Sequence, residues 1–119
     1  MFWTKGRQGT GYDTHTFFFK FLPSWIGLNG IDCYLIRYNE GDFIPSHIDP
    51  ISEGYEHHRL NIVIKKPKNG GLFFCDGKIR LGRVHLFRPD IQAHEVTKIL
   101  KGTRYVFSIG WSKPKRNAQ

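Results

Sequence analysis

A chain of 119 residues has room for one hydrophobic core and not for two. With 39% hydrophobic and 15% aromatic residues it groups with packed globules and not with disordered chains, while 18 Lys and Arg against 10 Asp and Glu leave a net charge of +8. No apolar run reaches the ~18 residues of a membrane span, no signal-like apolar segment opens the chain, and Cys33 and Cys75 have no metal or redox spacing, so a reduced, cytoplasmic, membrane-free protein is expected.

The order of elements begins with a basic, polar stretch, TKGRQGTGY, in which Arg7 and Tyr12 are candidate substrate contacts. Beyond it helical periodicity is nearly absent, and only 24–30 reads as a short helical turn. Short runs rich in Phe, Ile, Val and Tyr, broken by Gly, Pro or Asp, predict strands over 16–22, 32–39, 45–49, 59–65, 72–75, 78–81, 83–88, 93–99 and 103–111. Asp76-Gly77 has the chemistry of a two-residue hairpin turn, and Gly70-Gly71 and Gly102-Thr103 mark further turns. Many short strands with tight turns imply a sandwich or barrel, and about eight of them suit a jelly roll. The expected organisation is a single domain over 1–119, with a core of about 32–112 and a basic tail at 113–119.

The chemistry concentrates in GDFIPSHIDP. Residues two apart on a strand point to the same face, so His47 and Asp49 project together. A catalytic metal needs a third ligand, for which His15, His57, His58, His85 and His94 are available. His57 and His58 are adjacent, face opposite ways and read as loop or surface, His15 has no supporting context, and His85 has no carboxylate two residues away. His94, in QAHEVTKILKGTRYVFSIGW, is the best placed. Two His and one carboxylate leave three positions of an octahedral Fe(II) open.

Ten residues on, Arg104 alternates with Val106, Ser108 and Gly110, while Tyr105, Phe107, Ile109 and Trp111 take the other face. A small face with one cation is a lining for a small anion, since a guanidinium clamps a carboxylate with two parallel hydrogen bonds. The rings of Tyr105, Phe107 and Trp111 read as core, and the two cysteines as buried small hydrophobes. Taken singly each residue is ordinary: a lone strand histidine, an aspartate opening a turn before Pro50, a strand arginine. Their joint order and spacing carry the reading.

That ordered set, His47, Asp49, His94 and Arg104, resembles the Fe(II)- and 2-oxoglutarate-dependent dioxygenases. Within them, YLIRYNEGDFIPSHIDP and AHEVTKILKGTRYVFSIGW are most similar to the metal-bearing segments of the prolyl 4-hydroxylase-type group, over residues 34–111. The resemblance implies an all-β double-stranded β-helix with little helix, Fe(II) on His47, Asp49 and His94, and Arg104 on the distal carboxylate of 2-oxoglutarate. It places Tyr38 near the co-substrate, and with it Ser108 on the Arg104 face. Where the family's next strand turns Thr or Tyr toward the co-substrate this chain has Asn61, with Arg59 nearby as a substrate contact. The Gly41 loop and NGGLFF are similar to the family's glycine turns, whereas the N-terminal part is short of the family's helical support.

The implied reaction couples O2 and 2-oxoglutarate to hydroxylation of a substrate C–H bond, releasing succinate and CO2. The resemblance favours a protein or prolyl side chain as substrate; net charge points instead to a nucleic-acid position, and the family also oxidises small molecules. Two other classes compete. A non-catalytic basic β-barrel that binds nucleic acid would interleave exposed aromatics with Lys and Arg. A cupin-like metal protein would carry more histidines in its first motif and would have no use for Arg104.

Overall fold

The computed structural model describes residues 3–5, 12–21, 30–49, 54–77 and 79–114. Twelve strands run through them: β1 (Thr4–Lys5), β2 (Asp13–Phe21), β3 (Gly30–Tyr38), β4 (Ile44–His47), β5 (Tyr55–Lys65), β6 (Asn69–Gly70), β7 (Phe73–Cys75), β8 (Ile79–Leu81), β9 (Val84–Phe87), β10 (His94–Val96), β11 (Ile99–Lys101) and β12 (Arg104–Pro114). No helix occurs among the described residues, and so none long and apolar enough to cross a membrane. Arg7, residues 24–29 of the expected helical turn and 115–119 of the expected tail lie outside the described residues.

A seven-stranded antiparallel sheet has the order β1-β2-β3-β12-β5-β9-β8; three strands, β4-β10-β7, and the pair β11-β6 form the second layer. This is a double-stranded β-helix. Strand β12 lies between β3 and β5 because its alternation suits a sheet covered on one side: Arg104, Val106, Ser108 and Gly110 are buried, and the residues between them are half-buried. The register sets Arg104 opposite Tyr38, Ser108 opposite both Tyr34 and Asn61, and Gly110 opposite both Asp32 and Arg59. The core joins the layers through Ile36, Val63 and Val106 from one side and Val96 and Ile99 from the other. Each such side chain contributes ~1.5–3 kcal/mol by leaving water.

Several expectations are corrected. The run 93–99 is two strands, because Thr97 leaves the ladder and its hydroxyl accepts the N–H of Leu72 at 2.8 Å. Gly70, expected in a turn, sits in β6 opposite Ile99. Asp76-Gly77 does turn, with Gly77 at φ 72°, but makes no hairpin: β7 pairs with β10 and β8 with β9. The two-residue hairpin is Gly82-Arg83, with Leu81 opposite Val84.

Tyr105, Phe107 and Trp111 are not core. They stand on the outer face of the large sheet, where Trp111 stacks on His58 at 5.7 Å and Phe107 meets Phe17 at 6.0 Å. His57 and His58 lie in β5, not in a loop. Cys33 is buried as expected, and Cys75 is half-buried.

Candidate metal and co-substrate site

Strand β4 ends at His47 and pairs with β10 so that His47 is directly opposite His94. Opposed residues of an antiparallel pair share a face, and the two rings stand 4.3 Å apart. Asp49 follows two residues later, held by its backbone N–H on the carbonyl of Pro89 at 2.8 Å. Its Oδ1 lies 3.2 Å from His47 Nε2 and its Oδ2 3.3 Å from His94 Nε2. One ligand atom from each of the three falls within 4.8 Å of the others. His94 is buried and His47 nearly so, while the Asp49 side chain is 49% exposed, so the cluster opens toward solvent on the carboxylate side.

The second ring nitrogens set the chemistry. His47 Nδ1 donates to the carbonyl of Pro45 at 2.7 Å, and His94 Nδ1 to the carbonyl of Gln92 at 2.9 Å. A carbonyl oxygen only accepts, so each Nδ1 carries a hydrogen and each ring turns its Nε2 toward Asp49. Three electron-pair donors then point at one another, an arrangement that repels unless a proton or a metal cation lies between them. Two imidazoles and a carboxylate with the other sides open form a donor set that fits Fe(II).

The cluster borders a cavity of about 320 Å³ whose walls include Ile36, Ile44, Phe73, Phe87 and Val96. At one end lies Arg104, 3% exposed. The other described arginines that are half-buried have acids: Arg37 on Asp13 at 2.8 Å, Arg59 on Asp32 at 2.9 Å, Arg88 on Asp90 at 2.6 Å. Among the described residues no carboxylate meets Arg104. Its company is Tyr38, whose ring lies 4.9 Å below the guanidinium carbon and whose hydroxyl hydrogen-bonds it. Burial depresses the Arg104 pKa, opposed by Tyr38. The fully buried Tyr38 phenol is pushed up to about 12, chiefly by burial, with Arg104 pulling the other way.

Tyr12, expected to touch substrate, is stacked on Tyr38 at 5.5 Å and therefore belongs to the Arg104 end. Arg59 lines the cavity but is already engaged: Nη2 meets both oxygens of Asp32 at 2.9 Å, Nη1 donates to Ser108 Oγ at 2.7 Å, and the Tyr34 ring lies 4.7 Å away. Ser108, fully buried, does not line the cavity. Its hydroxyl donates to Asn61 Oδ1 at 2.6 Å, and so it braces Asn61 and Arg59, which do line it.

Of the remaining histidines, His85 is buried edge-on to Phe73 at 5.2 Å, His15 packs by Trp3 and Phe17, and His57 and His58 take opposite faces of β5; none joins the cluster. Tyr34 and Asp32 are not among the residues the sequence motifs single out, whereas Gly110 lies on the expected Arg104 face. The alternation that turns Tyr38 inward also turns Tyr34 and Asp32 inward, and was the signal for them.

No protein-family model matches this chain, and no curated protein matches it by sequence. Solved structures do share its fold. A Pseudomonas putida prolyl-4-hydroxylase superposes with a TM-score of 0.65 at 15% identity, covering 96% of this chain and 78% of that one. The viral collagen prolyl hydroxylase of Paramecium bursaria Chlorella virus-1, solved as a 2-oxoglutarate complex, gives 0.57 at 13% identity, covering 89% and 80%.

Proposed function

We propose that this chain is an Fe(II)- and 2-oxoglutarate-dependent dioxygenase that hydroxylates a C–H bond of its substrate. The observation that carries the reading is a buried guanidinium with no carboxylate among the described residues, in the wall of the cavity that His47, Asp49 and His94 also border. A buried cation without a counter-charge is costly, and an entering dicarboxylate supplies one.

In this reading His47, Asp49 and His94 hold the iron. When bound, the iron supplies O2 activation coupled to oxidative decarboxylation of 2-oxoglutarate to succinate and CO2. The chain's own residues do the positioning. Arg104 clamps the distal carboxylate, Tyr38 steadies the guanidinium from below and offers its hydroxyl hydrogen, and Tyr12 backs the Tyr38 ring. Phe73, Phe87 and Val96 keep the cavity dry, which strengthens that charge pairing.

Substrate is assigned to the side of Arg59, Asp32 and Tyr34, six residues along β12 from Arg104. A protein or prolyl side chain is the class favoured by the two structural neighbours, which act on such groups by name. On the outer face of β12 the rings oppose Leu35, Ile62 and Ile31 as well as Arg37 and Lys65, so aromatics and cations are not regularly interleaved and a base-stacking barrel is disfavoured.

The test is metal analysis after anaerobic reconstitution together with succinate release. His47→Ala and Asp49→Ala lose Fe(II); Arg104→Ala retains iron and loses 2-oxoglutarate turnover. Full iron retention by both ligand variants, or unchanged turnover in Arg104→Ala, overturns the assignment. Screening peptides, nucleic acids and metabolites for a rise in succinate over background then names the substrate.

A further inference from the structure

The described arginines other than Arg104 are all held: three by acids, as above, Arg80 on the carbonyl of Gly82 at 3.1 Å and Arg83 on that of Ile64 at 2.9 Å. The lysines divide differently. Lys113 meets Glu56 at 3.1 Å. Lys65, Lys66, Lys68, Lys98 and Lys101 are exposed, and none has an ion pair with a described residue.

These five converge on one end of the barrel. Lys65 closes β5 and Lys66 and Lys68 follow it; the N–H of Lys68 donates to the carbonyl of Lys101 at 2.8 Å, and Lys101 is opposite Asn69 where β11 pairs with β6. No acid interrupts 65–71 or 97–104. Glu40 reaches this end, but its carboxylate accepts the N–H of Gly102 at 3.1 Å. A groove of about 590 Å³ runs between Lys68 and Lys98, floored by Pro67, Leu72 and Leu100. Five like charges without an ion pair among the described residues, against the single carboxylate of Glu40, repel one another and focus a positive potential, which is relieved by a partner that brings repeated negative charge.

The groove contains no aromatic ring, so it has no platform for stacking unpaired bases. What it can recognise is phosphate, and a duplex carries one charge per ~1.7 Å of axis against ~3.4 Å for one strand. We propose that this lysine-rich end docks the sugar–phosphate backbone of double-stranded nucleic acid without reading its sequence. It lies at the Arg104 end, since Gly71 abuts the Arg104 side chain, whereas the cluster opens through Asp49. The duplex is therefore a docking partner and leaves the mouth of the cavity open. The inference is independent of the iron reading: a catalytically silent protein would still bind.

Fluorescence anisotropy with a labelled DNA duplex of about 20 base pairs tests it, between about 50 and 200 mM salt. Non-specific Kd values of ~10⁻⁴–10⁻⁶ M are expected at physiological salt, with log K falling against log salt at about −0.9 for each phosphate engaged, hence about −3 to −4.5 overall. The combined variant Lys66→Gln, Lys68→Gln, Lys98→Gln, Lys101→Gln flattens that slope by about 3 to 4, and Lys98→Gln alone by about 1. The single variant keeps the test valid should the combined one misfold. Arg80→Gln, on β8, leaves binding as it was. Salt-insensitive binding, no binding at the lowest salt, wild-type binding by the Lys98→Gln and combined variants, or capture by phosphatidylserine vesicles but not by the duplex each overturns the proposal.

Discussion

Tyr38 lies where two demands meet. Burial, with Tyr12 and Tyr34 adding to it, holds its phenol protonated up to about 12, while the Arg104 guanidinium works against that. Arg104 can only donate, so it uses a lone pair of the phenol oxygen and leaves the O–H free to donate to a carboxylate in the cavity. In Tyr38→Phe the 2-oxoglutarate dependence of succinate release shifts to higher concentration by about one hydrogen bond, ~0.5–1.5 kcal/mol. An unaltered concentration dependence removes Tyr38 from the co-substrate site. Arg104 keeps its charge whatever the solution pH in the working range, so an anion site built on it does not titrate away.

At the scale of the strand, Gly110 makes room for a charge pair. A Cβ there would run into the Arg59 guanidinium and lie 3.0 Å from Asp32 Oδ2. Gly110→Ala therefore displaces Arg59 from Asp32 and Ser108 and costs ~1–3 kcal/mol, read as a lower denaturant midpoint; an unmoved midpoint would mean the pair slides aside freely. The same strand shows what the chain's pattern does and does not disclose. Its alternation revealed two faces, and the inward one is Arg104, Val106, Ser108 and Gly110 as expected. Large rings on the other face suggested core, yet a barrel that must keep a cavity needs small side chains inside and puts its bulk outside. His47, Asp49 and His94 were legible because two are neighbours on one chain segment and the third is their direct partner across a ladder. Short pieces such as β6, two residues with no side-chain period, left no such trace. Nor does turn chemistry at Asp76-Gly77 say which sheet the next strand joins.

For the molecule as a whole, acid acts first through His57. Burial, and then the charge of Arg59, lower its pKa from 6.5 to about 4. The unfolded chain takes up this proton near 6.5 and the folded chain only near 4, so stability is complete above pH 6.5 and declines as pH falls toward 4. Below that window the lowered carboxyls of Glu56 and Asp90 add to the loss: hydrogen bonds from His58 and Lys113 hold the first down, and for the second burial is the largest single effect and raises it, but the hydrogen bond and charge of Arg88 together with backbone hydrogen bonds bring it down. Urea midpoints measured from pH 7 to pH 4 should fall, and His57→Gln should remove the decline between 6.5 and 4; a flat profile in the native protein contradicts this. The placement of β12 also bears on biosynthesis. Strands β3 and β5 both hydrogen-bond to it and not to each other, yet both leave the ribosome well before it. Until it arrives, two adhesive edges wait open, and such edges are where nascent chains join their neighbours. Slower synthesis at low temperature, which keeps fewer half-made copies in one another's reach, should therefore favour recovery of the finished protein.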